Sequence, residues 1–204
     1  MPAIEKVSIP GPAGTLEVVM HIPDIAPRAI AVIAHPLPTM GGTMENKIVT
    51  TLAKTFAELG FAALRFNFRG VGASSGEFDD GNGEVEDALT VTRYALSKYG
   101  SLPLILSGFS FGGCVQARAA QQLPPHQLVL IAPSVMRYGM PPVPHNTLLV
   151  HGELDEIVSL ADVMQWARPQ SLPIVVLPGA THFFHGRLEQ LKEIVRHNFM
   201  GQAL

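Results

Sequence analysis

The sequence predicts an α/β fold with a mostly parallel, eight-stranded sheet flanked by helices and without a cap domain. Three observations lead there. Six runs of about six residues are continuously apolar and rich in Val, Ile and Leu, as expected of strands buried on both faces. Helical patterns lie between most of these runs, which is the alternation of a parallel sheet. The connection at 132–146, APSVMRYGMPPVPHN, is short and holds four prolines, so any lid inserted there would be tiny.

In chain order, alternating stretches at Ile4–Ile9 and Leu16–Ile22 flank PGPAG and read as an opening antiparallel hairpin. The apolar runs follow at 29–34 (AIAVIA), 61–66 (FAALRF), 102–108 (LPLILSG), 127–132 (QLVLIA), 147–152 (TLLVHG) and 172–177 (LPIVVL). Helices are expected at Glu45–Leu59, Glu84–Tyr99, Phe111–Leu123, Ser159–Arg168 and Gly186–Phe199. No internal repeat or linker interrupts the pattern. At 204 residues a single domain over 1–204 is expected, since one core still buries surface efficiently at this size.

Composition narrows the function classes. Hydrophobic residues make up 47% of the chain and charged residues 15%, which argues against disorder. The formal net charge is −3, with the 14 Lys and Arg scattered, so neither a nucleic-acid partner nor a polybasic membrane patch is expected. Cys114 is the only cysteine, which precludes an intrachain disulfide and suits a reducing compartment. MPAIEKVSIPGPAG lacks the apolar run of a signal peptide, and no stretch approaches the length of a membrane span. A soluble, cytoplasmic protein is expected, its oligomeric state left open.

Ligands of open parallel sheets bind beyond the carboxyl ends of the strands, so the residues after each run are the ones to inspect. After the fifth strand, Gly108-Phe109-Ser110-Phe111-Gly112 matches G-x-S-x-G, in which a serine sits on a sharp strand-to-helix turn. With 19 glycines in the chain the string alone is weak; its position at a strand–helix junction carries the weight. So tight a turn leaves no room for a Cβ two residues before or after the serine. Cys114, one helical turn further on, reads as a small packing residue.

A serine hydroxyl needs a base, and the base needs an acceptor that fixes its tautomer. For an elbow serine these follow in the order acid, then histidine. Asp155 lies after the seventh strand in HGELDEIV, with Glu153 and Glu156 as alternatives in the same loop; Asp162 falls on a helix. THFFHG, after the eighth strand, offers His182 and His185. His182 is the candidate base, because it leaves the strand where the base is needed, whereas His185 adjoins the last helix. An oxyanion would need two backbone donors. One is Phe111 N–H, at a helix start, and the other is Leu37 N–H, since Pro36 and Pro38 beside it have none.

Taken in order, HPLPTMGGTMENK, RFNFRGVGASSGEFDDGNGE, SGFSFGG, HGELDEIV and GATHFFHG resemble the α/β-hydrolase superfamily. More narrowly, they are similar to small, lidless bacterial serine hydrolases related to dienelactone hydrolases. The likeness runs from about residue 29 to residue 190. It implies an α/β-hydrolase fold, a Ser110–His182–Asp155 triad, Leu37 and Phe111 around the oxyanion hole, and no cofactor. Dienelactone hydrolases carry a cysteine nucleophile where this chain has serine, so their substrate does not transfer.

The expected activity is carboxylesterase-like cleavage of a small-molecule ester, or else a thioester or amide, through an acyl-enzyme. Met40, Phe109, Met136, Tyr138 and Phe183 are the expected substrate-binding set, with Phe111, Met140 and Phe184 also near the edge loops. Competing readings are weaker. RGVGASSG lacks dinucleotide-loop spacing, and FDDGNGE lacks the EF-hand pattern. His35, His151, His182 and Asp155 share the sheet edge, but no diagnostic metal spacing accompanies them and none is expected to bind metal. A binding protein without turnover on the same fold is the remaining alternative.

Overall fold

A computed structural model describes residues 2–201; the ends of the expected 1–204 domain, Met1 and residues 202–204, lie outside the described residues. Eight strands and five helices follow one another as β1 (Ala3–Gly11), β2 (Gly14–Ile22), β3 (Ala29–Ala34), α1 (Lys47–Glu58), β4 (Phe61–Phe66) and α2 (Asn82–Tyr99). Then come β5 (Leu104–Phe109), α3 (Phe111–Ala119), β6 (Gln127–Ile131), β7 (Leu148–Gly152), α4 (Leu160–Ala167), β8 (Val175–Leu177) and α5 (Leu188–Phe199). The strands form one sheet in the order β1-β2-β4-β3-β5-β6-β7-β8. β2 runs antiparallel to β1 and β4, and the ladders from β4 to β8 are parallel. No cap domain is inserted: residues 132–147, between β6 and β7, contain neither helix nor strand.

The continuous apolar runs have a direct cause. Along β3, Ile30, Val32 and Ala34 enter a core shared with α2, α3 and α4, while Ala29, Ala31 and Ile33 enter a second core under α1 and α5. Because successive side chains alternate, a strand covered on both faces must be apolar throughout. Asn46 caps α1, its Oδ1 accepting from Ile48 N at 2.9 Å, and Ser159 caps α4 by accepting from Asp162 N at 3.1 Å. In FDDGNGE, the two Glu84 carboxylate oxygens accept from Asp79 N and Gly81 N at 2.9 and 2.8 Å, fixing the turn into α2.

Two boundaries differ from expectation by three residues or more, and the others by one or two. β8 has three residues instead of six: it is an edge strand paired only with Val150–Gly152 of β7, and Pro173 removes a donor just before it. Leu172 turns its side chain into the α4 core instead. α3 ends at Ala119 instead of Leu123, its last turn tightening as Gln121 N donates to Arg118 O. No helix among the described residues is long and apolar enough to cross a membrane.

The strand order reverses beside β3: the chain passes from β3 to β4 on one side and returns to β5 on the other. Loops leaving β3 and β5 therefore diverge above one crevice, the position at which open parallel sheets place ligands. Ala34 pairs with Gly108, which brings the loop after β3 against the turn after β5.

Candidate active site

Ser110 sits at the strand–helix junction with φ 55° and ψ −118°, a conformation that non-glycine residues rarely adopt. Such a residue stores about 1–3 kcal/mol of strain and persists only where its surroundings hold it. Here Ser110 N donates to Ile131 O at 2.9 Å, and Ser110 O accepts from Gly113 N and Ser134 N at 3.0 and 3.1 Å. The flanking glycines are required by close backbone approach. A Cβ on Gly108 would overlap the Gly112 carbonyl, and one on Gly112 would overlap the carbonyls of Ala34 and His35.

The Ser110 hydroxyl lies 3.0 Å from His182 Nε2, and His182 Nδ1 lies 2.7 Å from Asp155 Oδ2. All three residues are buried. Since Asp155 is an acceptor, the proton belongs on Nδ1, which leaves Nε2 free to accept from the serine. Asp155 Oδ1 accepts from Ile157 N and Val158 N at 2.9 and 2.7 Å. Burial would raise the Asp155 pKa, but the His182 hydrogen bond and these two amides outweigh it and hold the carboxyl below its usual range. The His182 ring packs 5.0 Å from Phe109 and 5.2 Å from Phe183, which fixes its plane.

The alternative acids do other work. Glu156 Oε2 accepts from His182 N at 3.2 Å, and Glu153 Oε2 accepts from Gly179 N at 2.8 Å, so both bind the backbone of the loop that carries the histidine. His185 is exposed, its ring tilted against that of Phe183 with centres 5.9 Å apart, and it makes no hydrogen bond to the serine. Cys114 is buried, and burial pushes its thiol up to about 11, so it is a packing residue and not a nucleophile.

Both remaining histidines at the sheet edge are used structurally. His35 donates from Nδ1 to Pro36 O at 2.7 Å and accepts at Nε2 from Phe68 N at 3.1 Å, holding the loop that carries Leu37. His151 Nε2 donates to Val158 O at 2.9 Å and lies 3.4 Å from Asp155 Oδ2, bracing the turn beneath the carboxylate. Burial lowers the pKa of both rings, that of His35 to about 4, so the close His151–Asp155 approach involves a neutral imidazole. Among the described residues no group of three or more His, Cys, Asp or Glu is arranged to hold a metal ion.

A cavity of about 270 Å³ opens over Ser110 and His182. Leu37 and Phe111 line it, and neither amide donates to a protein acceptor among the described residues. Of the residues expected to bind substrate, Met40, Tyr138 and Phe183 line the cavity. Phe109 does not: its side chain points to the opposite face of β5 and is fully buried beneath His182. Met136 is 64% exposed and lies outside the lining. Sequence reasoning missed Asn46, Ser134, Arg137, Ile157 and Val158, which reach the cavity from three separate loops. No local motif marks them, although Ile157 and Val158 follow directly on the acid's turn.

The chain resembles known proteins along most of its length. It is 42% identical to an α/β serine hydrolase homologue of Coxiella burnetii, with 96% of this chain and 97% of that one covered and a TM-score of 0.90. A lidless α/β serine hydrolase of Xanthomonas campestris is 38% identical, with 96% and 93% covered and a TM-score of 0.90. An uncharacterized protein of Rickettsia prowazekii is 31% identical over 201 residues, which span 91% of this chain and 84% of that protein. The model of the family described as serine aminopeptidase, S33, matches residues 26–146, more than half of the chain. The protein therefore belongs to that family, and it is a serine hydrolase of the α/β-hydrolase superfamily.

Proposed function

We propose that the protein hydrolyses carboxylic esters of small molecules through an acyl-enzyme, with Ser110, His182 and Asp155 as its triad. One observation carries this reading: the unbroken hydrogen-bond chain from Ser110 Oγ through His182 to Asp155, opening on a cavity. His182 Nε2 takes the hydroxyl proton as Ser110 Oγ attacks the acyl carbon, and Asp155 stabilises the imidazolium that forms. The oxyanion accepts hydrogen bonds from Leu37 N–H and Phe111 N–H, the latter at the positive end of α3. His182 then returns the proton to the leaving alcohol. In the second half-reaction it deprotonates the water that releases the acid. No cofactor takes part in these steps.

An ester is favoured over an amino-terminal peptide by the cavity wall. Recognition of a free α-amino group calls for a carboxylate beside the scissile bond, and among the described residues no Asp or Glu lines this cavity. The open, lidless site suits short or medium acyl chains.

The test is covalent labelling with a fluorophosphonate probe. Wild type should carry one adduct on Ser110 and hydrolyse 4-nitrophenyl esters, and Ser110→Ala should do neither. Equal labelling of both proteins rules out the assigned nucleophile.

A further inference from the structure

Arg137 is the one Lys or Arg among the described residues lining the cavity over Ser110. It forms no ion pair among the described residues, in a chain whose net charge is negative. The backbone that presents it is pinned. Cys114 Sγ lies 3.7 and 3.6 Å from the carbonyls of Arg137 and Tyr138, and Arg118 Nη1 donates to Tyr138 O at 3.4 Å. The Tyr138 ring stands edge-on to Phe111 at 4.9 Å, and the Arg137 guanidinium lies 5.6 Å from that tyrosine's ring centre. A cation thus lies over an aromatic ring at a cavity whose described lining holds no other Lys or Arg and no Asp or Glu.

The two ends of the site differ in chemistry. Phe183 belongs to the α1/α5 side, where a second cavity of about 330 Å³ runs between Asn46 and His185. Tyr138 and Phe111 pack into the core on the opposite, α2/α3 face of the sheet. On the ester-hydrolase reading a leaving group receives its proton from His182, whose ring abuts Phe183, which assigns it to the first end. The acyl chain then extends toward Tyr138 and Arg137.

We infer that Arg137 is a specificity residue and that the preferred acyl group ends in a carboxylate, making the substrate a monoester of a dicarboxylic acid. This rests on the ester-hydrolase reading above. A guanidinium fork matches a carboxylate with two parallel hydrogen bonds, and the absence of a protein carboxylate leaves it available to substrate. Acidic side chains are likewise absent from the lining, so nothing there repels the anion.

The experiment compares mono-4-nitrophenyl adipate with 4-nitrophenyl hexanoate, which share a leaving group and carbon number and differ in the terminal carboxylate. The measured quantity is the ratio of their kcat/KM values. Arg137→Gln should lower the adipate-to-hexanoate ratio about tenfold, the scale of one charged hydrogen-bonded contact, and Arg137→Lys should recover part of it. In wild type the ratio should also fall as salt is raised. A ratio unchanged within about twofold in Arg137→Gln overturns the inference, including the case in which both esters lose activity together. Failure of the underlying reading looks different: wild type would turn over neither ester, and Ser110 would take no fluorophosphonate.

Discussion

Asp155 reaches His182 Nδ1 with Oδ2 at 2.7 Å while its other oxygen, Oδ1, is held by two amides of its own loop, Ile157 N and Val158 N. The carboxylate is therefore oriented before the histidine arrives, and the ring's tautomer follows from that orientation. A catalytic acceptor fixed by neighbouring backbone costs no reorganisation during the reaction.

Asp155→Asn is the sharpest test of that arrangement. An asparagine can keep the Ile157 and Val158 bonds through its carbonyl, but its amide then faces Nδ1 and favours the wrong tautomer. Ester turnover should fall by about 10³ to 10⁴ in kcat with the fold retained. Circular dichroism and 4-nitrophenyl ester kinetics together check this, and a loss below about tenfold removes Asp155 from the triad.

The strain at Ser110 predicts a trade between activity and stability. Ser110→Gly and Ser110→Ala both lack Oγ and both should be inactive, so their difference isolates the backbone. At φ 55° and ψ −118° the glycine variant avoids a steric cost that alanine retains, partly offset by its freer unfolded chain. Ser110→Gly should be more stable than Ser110→Ala by about 1 kcal/mol in urea unfolding. Equal stability would mean that the turn stores no strain at this residue.

Much of this was legible in the sequence, for identifiable reasons. Strands covered on both faces must be apolar throughout, so β3 to β7 announced themselves as runs. The run at 172–177 announced β8 as well but overstated its length, because an edge strand paired over three residues need not include Leu172 and Ile174. Ser110, Asp155 and His182 could be singled out because each follows a strand in a fixed order, and the structure brings the three within hydrogen-bond distance. Phe109 was misjudged on nearness in sequence: alternation along β5 sends its side chain to the face opposite the cavity. Asn46, Arg137 and Ile157 depend on three loops converging in space, which no local pattern encodes.

Two buried histidines make stability sensitive to mild acid. Burial lowers His35 to about 4, and burial together with the neighbouring Arg65 guanidinium lowers His21 to about 4. An unfolded histidine protonates near 6.5, so below that pH the unfolded chain binds protons that the folded rings refuse. Stability should be full above about pH 6.5 and fall as pH drops toward 4, by roughly 3 kcal/mol for His35 alone. His35→Asn should be less stable at neutral pH and should lose about one proton from the slope of unfolding free energy against pH. Urea titrations across that range measure it, and an unchanged slope contradicts the assignment.

The two histidines of THFFHG should respond in opposite ways to truncation. His182 is buried, bonded at both ring nitrogens and clamped by Phe109 and Phe183, so His182→Ala removes the proposed base and leaves Asp155 facing a void. Its kcat/KM should fall by at least about 10³. His185 is exposed and lines the second cavity beside Phe183, on the side to which the proposed mechanism sends the leaving group. Its removal should shift KM severalfold, in a manner that depends on the alcohol, while kcat stays within about threefold of wild type. Steady-state kinetics on two esters with the same acyl chain and different alcohols separates these outcomes. If His185→Ala instead abolished turnover and His182→Ala did not, the roles would be exchanged and the bond between His182 Nε2 and Ser110 would be structural only.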